Sequence, residues 1–428
     1  MKIQKNNMKN QFTRNTIWLI LEKVFQLTLG LFVGIWTARY LGPENFGVLN
    51  FGASFITFFT VICSLGLENV IIKYFVDHRK QNNVILFSAI AIRFVTSIIS
   101  ILVLYFIVSL FYNDQKIIIV VITLQSLALI FSSLDTIDFW FQSLLMSRYV
   151  VIAKSIARLC VSAWKIYLLI SGASLEFFAL SSAIEAMILG FLLLIIYFKK
   201  NSIKTISFSV KYSKELFSNS YHFILSGLLI SVFTQLDKIM LGNLIGQESV
   251  GIYSVAANIA TLWFMVPLAV INSSRPIILK KRRDSLNLYQ RNLKHLYAFI
   301  WWIGIFVSLI ISIFSDNIIS VLYGEKYTEA ARPFAVLTWA SIFSLLGTAR
   351  NIWIVSENVS RYVKYFFLIG ILVNFILNYI FINLYNILGA SIATLIAQFI
   401  STIIAPLFFR KTRESTYLML QALIFKKS

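Results

Sequence analysis

Charge is scarce in this 428-residue chain. Only 13% of its residues are Asp, Glu, Lys or Arg, against 58% hydrophobic, and mean hydropathy is +0.80. A soluble domain of this size needs far more polar surface to cover its core, so a water-soluble globule is excluded. Acidic residues are scarcer still, 18 against 38 basic ones, for a formal net charge of +20. Cysteine is nearly absent: Cys63 and Cys160 both lie inside apolar runs, which argues against a structural disulfide and leaves too few thiols for a metal cluster. His78, His222 and His295 are scattered, without metal-ligand spacing, and no motif calls for a cofactor. The basic excess would suggest nucleic acid on a soluble protein. Here no basic stretch is interleaved with aromatics in a polar segment, so nucleic acid is not an expected partner. Basic loops facing the cytoplasm and anionic membrane lipid account for the excess.

What is abundant is apolar sequence in runs long enough to cross a bilayer. Backbone groups in lipid must be satisfied internally, so spanning segments are helices or closed barrels. A barrel would show short runs alternating with period two. The runs here are nearly continuous, as at Ile98, Ile99, Ile101, Leu102 and Val103, which predicts an all-α integral membrane protein. Hydropathy fits about twelve spans: 15–38, 47–72, 84–111, 117–145, 149–171, 176–198, 216–242, 251–279, 296–322, 333–355, 362–384 and 387–409. Lys2, Lys5, Lys9 and Arg14 precede an apolar run longer than a signal-peptide core, so that run is read as a retained first helix. With the N-terminus inside, 27 of the 38 basic residues fall on the cytoplasmic side and only Arg39, Lys116, Lys326 and Arg332 outside. Such asymmetry predicts both termini cytoplasmic.

The expected organisation is an N-terminal six-helix lobe (1–200), a basic cytoplasmic linker (201–215), a C-terminal six-helix lobe (216–410) and a basic tail (411–428) lying on the membrane surface. The halves carry a repeat. Leu41-Gly42-Pro43-Glu44-Asn45-Phe46-Gly47-Val48 and Ile245-Gly246-Gln247-Glu248-Ser249-Val250-Gly251-Ile252 place Gly, Glu and Gly alike, 204 residues apart. Six spans of offset preserve orientation, so this is a parallel repeat about an axis along the membrane normal. Gly supplies a tight turn and Pro43 interrupts the helix.

These residues resemble the polysaccharide-transporter branch of the multidrug/oligosaccharidyl-lipid/polysaccharide (MOP) exporter superfamily, whose typical members are the Wzx-type O-antigen flippases. Ala38 through Gly47 looks like that family's first external turn, and Asp138 through Gln142 with Arg148-Tyr149 like its junction between the fourth and fifth spans. Asp237-Lys238, Gly246 through Tyr253 and Ala256-Ala257 look like the start of its second half, and Asn386 through Thr394 like its last span. The resemblance implies a two-lobed flippase in the cytoplasmic membrane of a bacterium. Its substrate would be an undecaprenyl-diphosphate-linked oligosaccharide repeat unit, moved from the inner to the outer leaflet by alternating access for surface polysaccharide synthesis. A polysaccharide polymerase and export machinery would be its partners. No bond is made or broken, so no enzyme is implied.

An ionised side chain at mid-bilayer costs roughly 2.5–3.5 kcal/mol on insertion scales, so such residues should face a watery cavity or a partner. Lys154, Arg158 and Lys165, spaced i, i+4 and i+11, form a basic ladder on one face of the fifth span. Lys23 and Arg93 are candidates for the same cavity, where cations would hold a diphosphate. The competing reading is ion pairing with Glu22, Asp135, Asp138 or Glu185. Arg275 and Arg350 are expected to snorkel to the interface, with a substrate-gate role also open for each. Glu185, mid-span, and Asp237, beside Lys238, are candidates for coupling transport to H⁺ or Na⁺, against plain pairing. Asn374, Asn378 and Gln398 are placed to hydrogen-bond between helices. Trp301-Trp302 is read as an interface marker. Rival functions are a cation or drug antiporter of the same superfamily, disfavoured by the basic ladder, and a membrane polymerase or ligase, disfavoured by short external loops without His. A structural scaffold would not explain charges aligned on one face.

Overall fold

The computed structural model describes residues 2–201 and 207–424, without the side chains of 2–17, 19–21, 69, 283 and 284. Of the basic residues used for topology, Lys204, Lys426 and Lys427, and the side chains of Lys2, Lys5, Lys9, Arg14 and Arg283, lie outside the described residues.

Among the described residues the chain forms helices and no strand. In order they are α1 (Lys2–Ser64), α2 (Glu68–Asp77), α3 (Asn82–Phe111), α4 (Lys116–Ser132), α5 (Thr136–Ser143), α6 (Ser147–Ser171) and α7 (Leu175–Lys200). Then come α8 (Val210–Leu244), α9 (Gln247–Ala260), α10 (Met265–Asp284), α11 (Leu286–Tyr323), α12 (Ala331–Ser356), α13 (Val363–Phe399) and α14 (Arg413–Leu423). Nine helical stretches among the described residues are long and apolar enough to cross a membrane. Two of the nine are pairs joined at one non-helical residue, Gly42 (φ 72°, ψ 173°) in α1 and Asn386 (φ 52°, ψ −130°) in α13. The 25-residue α6 has the length of a span, and only its cations Arg148, Lys154, Arg158 and Lys165 set it apart in composition. Together these give the twelve segments expected.

The turn residues behave as their chemistry requires. Gly42 and Gly246, equivalent in the repeat, both take positive φ (72° and 103°) immediately before a helix. Pro43 then occupies a first helical position, where its missing N–H leaves no partner unmet. Gly389, just past the Asn386 turn, lies so close to the Phe381 carbonyl oxygen that a Cβ would sit 1.9 Å from it.

The chain folds as two compact units, Met1–Leu41 with Phe51–Ser231, and Gly42–Asn50 with Val232–Ser428. Lobes dividing at 201–215 were expected; instead the division falls inside α8, and a short piece of α1 belongs to the second unit. Contacts explain the position in α8. Its N-terminal half is held within the first unit by Asn219 Nδ2 donating to the Tyr74 hydroxyl (2.7 Å) and Ser213 Oγ donating to the Ser88 carbonyl (3.2 Å). Gly227 packs so tightly on Val61 that a Cβ would lie 2.7 Å from it. Residues 210–215 of the expected linker are already helical.

The first unit's core gathers Leu67, Ile71, Phe75, Phe141, Tyr197 and Leu216; the second unit's gathers Tyr289, Leu293, Tyr297, Leu346, Trp353 and Met419. Large apolar side chains such as Leu102, Phe106 and Phe111 stay on the exterior, 64–73% exposed. In lipid that exposure carries no penalty, so helix association depends on close packing rather than on hiding apolar area. The tail departs from expectation. Rather than lying free on the surface, α14 buries Leu418, Met419 and Ala422 in the second unit's core, and Trp301 Nε1 donates to the Met419 carbonyl (3.2 Å). Trp301 is therefore internal, while Trp302 remains 48% exposed.

Candidate functional site

In the first unit, the i, i+4 spacing of Lys154 and Arg158 on α6 turns both toward a cavity of about 510 Å³. Its other lining residues are Glu22, Lys23 and Gln26 from α1, Ala157 from α6, and Glu185 and Leu189 from α7. Arg158 Nη2 lies 3.1 Å from Glu185 Oε1. Lys154 Nζ lies 2.8 Å from Asp138 Oδ2, and Gln142 Nε2 donates to Asp138 Oδ1 (2.9 Å). Gln26 Nε2 donates to Glu22 Oε1 one helical turn away (2.7 Å). Of the two readings left open for the ladder, Lys154 and Arg158 follow ion pairing, with Asp138 and Glu185, while Glu22 holds Gln26 and Lys23 lines the cavity beside them. The pairs are only partly withdrawn from solvent: the Arg158 and Glu185 side chains keep 34% and 27% of their exposure. Two donors remain to be used. Arg158 Nε is buried without a partner, and exposed Lys23 makes no hydrogen bond or ion pair among the described residues.

Other predicted cations stand apart from this cavity. Lys165 does not line it and makes no hydrogen bond or close ion pair among the described residues; Glu185 and Arg158 act on it only through their charge. Arg93, expected in the cavity, is a brace instead. It is 5% exposed, with Nη1 donating to Thr136 Oγ1 (2.8 Å) and Nε to the Cys63 carbonyl (3.4 Å), which ties the end of α1 to the break between α4 and α5. Arg350, expected to snorkel, is 2% exposed. Its Nη2 donates to the Thr402 carbonyl and meets Met419 Sδ at 3.2 Å, so it holds α14 to α12. The Thr402 carbonyl lies within a π-helical turn (Ile400–Ile404), where the regular hydrogen-bond ladder is interrupted. Arg275 is exposed on α10, with no hydrogen bond or ion pair among the described residues.

The second unit holds a contrasting carboxylate. Asp237 on α8 is 4% exposed. Its Oδ2 accepts from the Tyr253 hydroxyl and the Thr394 hydroxyl, both at 2.6 Å. Its Oδ1 accepts from Asn378 Nδ2 (2.7 Å) and Asn374 Nδ2 (3.1 Å). Asn374 and Asn378 do bond between helices, as their placement on an apolar span required. Lys238 makes no ion pair within 4.0 Å among the described residues, so the adjacent-residue pairing considered for Asp237 is replaced by four neutral donors. Beside it, Asn378 Oδ1 is buried with no partner. Sequence reasoning missed Gln26, Tyr253 and Thr394. The signal for the last two was available, since both lie in segments quoted for the family resemblance.

The family model described as polysaccharide biosynthesis protein matches residues 12–280, and the MatE model matches residues 223–380. The chain is 27% identical to capsular polysaccharide biosynthesis protein CapF of Staphylococcus aureus over 46% of this chain and 50% of that one. It is 29% identical to the probable flippase AglR of Haloferax volcanii over 40% of this chain and 37% of that one. These matches therefore span half or less of those relatives. A putative O-antigen transporter of Shigella flexneri is 22% identical over 73% of this chain and 77% of its own. In three dimensions the chain superposes on lipid II flippase MurJ in an inward closed conformation, with TM-score 0.74, 17% identity and coverage of 94% and 90%. It superposes on an inward-facing MATE family multidrug transporter with TM-score 0.66, 13% identity and coverage of 94% and 96%. With a family model matching more than half of its length, the chain belongs to the polysaccharide biosynthesis protein family, and it has the fold of these solved transporters.

Proposed function

We propose that the protein is a flippase for a lipid-linked oligosaccharide. It would carry a diphosphate-linked saccharide head from the cytoplasmic to the outer leaflet of the cytoplasmic membrane of a bacterium, with the lipid tail left in the bilayer. Both termini would face the cytoplasm. The observation that carries this reading is the cavity lined by Lys23, Lys154 and Arg158 in a chain of this family. A diphosphate offers several charge-assisted acceptor sites, and a guanidinium meets such an anion through a planar fork. Arg158 is engaged by Glu185 while Lys23 is exposed beside it, so an arriving anion can meet Lys23 first and then compete with Glu185 for the guanidinium. Gln26, Glu22 and Glu185 supply hydrogen-bonding groups of the kind sugar hydroxyls use. Movement would follow alternating access between states open to each side.

Asp237 suits the coupling role better than Glu185. Its four partners are neutral donors rather than a cation, and the orphaned Asn378 Oδ1 beside it provides another acceptor for Na⁺, or for a proton carried by the carboxyl. Glu185, already facing Arg158, is better suited to balancing that cation. A polymerase and export machinery would act on the product. The decisive experiment is deletion of the gene with analysis of lipid-linked saccharides in each leaflet. A defined lipid-linked saccharide should accumulate on the cytoplasmic side, and unchanged leaflet distribution would sink the proposal. Reporter fusions after Leu41 and after Ser428 should report opposite sides of the membrane.

A further inference from the structure

Helices α1 and α6 run side by side, in the same direction, along the cavity of the first unit. Glu22, Lys23 and Gln26 of α1 and Lys154 and Arg158 of α6 line it, and Glu22 feels the charges of Lys154 and Arg158. Nearer the start of each helix the two meet again. The Arg148 guanidinium lies over the Trp18 ring, 5.6 Å from its centroid. Trp18, Glu22 and Gln26 are spaced i, i+4 and i+8, so they form one stripe on α1. The step from Trp18 to Glu22 is about 6 Å along the helix axis, roughly the width of one pyranose ring. Trp18 keeps part of its exposure, and Arg148 is exposed.

We propose that the Trp18 ring is a stacking platform for the sugar that follows the diphosphate, with Arg148 holding the ring face until that sugar arrives. The inference rests on the diphosphate reading above and adds the place of the first sugar. A pyranose carries hydroxyls around its rim and C–H groups on its faces. Those C–H groups are partly positive, because oxygen draws electrons from their carbons. The face of an indole is negative, which is what draws the Arg148 guanidinium onto it, and it draws sugar C–H groups for the same reason. An exposed guanidinium leaves such a face at small cost, since water solvates it as it goes. The arrangement orders the substrate head. The diphosphate sits at Lys23 and Arg158, and the first sugar sits about one turn away on Trp18, with its rim hydroxyls beside Glu22 and Gln26. Under the proposed topology Trp18 lies toward the cytoplasm, the side from which the head enters. Stacking reads the face of a ring rather than its hydroxyl pattern. The platform therefore favours a loaded lipid over a bare lipid diphosphate without choosing among pyranoses.

The test uses the purified full-length protein in lipid nanodiscs and two probes, a short-chain alkyl diphosphate and the same diphosphate carrying one N-acetylglucosamine. Calorimetry gives the affinity for each. The parent should bind the sugar-bearing probe several-fold more tightly. Trp18→Ala should lose that preference while binding the bare diphosphate as the parent does, and Trp18→Tyr should keep most of it. A ring that serves only as a bilayer anchor would leave the preference intact in Trp18→Ala, and that result overturns the proposal. Should Trp18→Ala fail to accumulate, Trp18→Phe decides by fluorescence. The sugar-bearing probe should change the tryptophan emission of the parent more than the bare probe does, and this excess should vanish in Trp18→Phe; an excess that persists overturns the proposal. A parent that binds neither probe overturns the diphosphate reading and the platform with it. Equal affinity of the parent for both probes overturns the platform alone.

Discussion

The two units handle carboxylates in opposite ways. In the first, Glu185 and Asp138 face cations, Arg158 at 3.1 Å and Lys154 at 2.8 Å, beside an open cavity. In the second, Asp237 is sealed among two amides and two hydroxyls. The difference is one of exchangeable partners. A cation paired with a carboxylate next to a cavity can trade that partner for a ligand anion at small net cost, because one acceptor replaces another. A carboxylate held by neutral donors has no such trade to make, and what it lacks is positive charge. The first arrangement suits an anionic substrate; the second suits a coupling cation.

The largest expected effect tests the first half of that contrast. Arg158→Ala removes a charge-assisted contact worth about 1.5–3 kcal/mol, so export should fall roughly 10- to 100-fold at near-normal membrane abundance. Arg158→Lys should restore part of it, because charge survives and the fork is lost. Export assays normalised to membrane protein read both; parental export in both variants would make the pair purely structural. Next is Asp237→Asn, which keeps shape and removes charge. Export should lose its response to the ion gradient, and thermal stability should drop by about 1–3 kcal/mol, since an amide nitrogen now faces former donors. An Asp237→Asn protein that still responds to the gradient breaks the assignment.

Glu185→Gln sharpens the contrast from the other side. Pairing predicts a stranded cation beside the cavity and lower membrane abundance, partly recovered in Glu185→Gln with Arg158→Met. A stable Glu185→Gln protein whose transport no longer follows pH would move the coupling role to the first unit. The smallest effect is expected from Tyr253→Phe, which deletes one of the four bonds to Asp237 and should cost about 0.5–1.5 kcal/mol in thermal unfolding with transport largely kept. A null result there would mean that the other three donors suffice.

Spans, their number and the positions of the turns were legible in the sequence, because lipid allows no unsatisfied backbone and each crossing therefore needs its own apolar run. The repeat was legible for a similar reason: Gly42 and Gly246 both require positive φ, which glycine alone adopts freely. Even α6, the span with most charge, was found from its length and from its apolar neighbours. The partners were not legible. Whether Arg158 meets Glu185, whether Arg93 braces α1 or reaches the cavity, and whether α14 docks or drifts all depend on which helix faces come together. Helical periodicity places residues on a face and says nothing about the face opposite. Asp237 shows this most clearly. Its sequence neighbour Lys238 suggested an ion pair, but on a helix adjacent residues point about 100° apart, and residues 137, 141 and 157 positions away supply three of its four partners. Composition and periodicity made this chain a twelve-helix membrane protein; the packing of α8 against α13 and of α6 against α7 decided which of its charges are paired, which are sealed and which are left to meet a ligand.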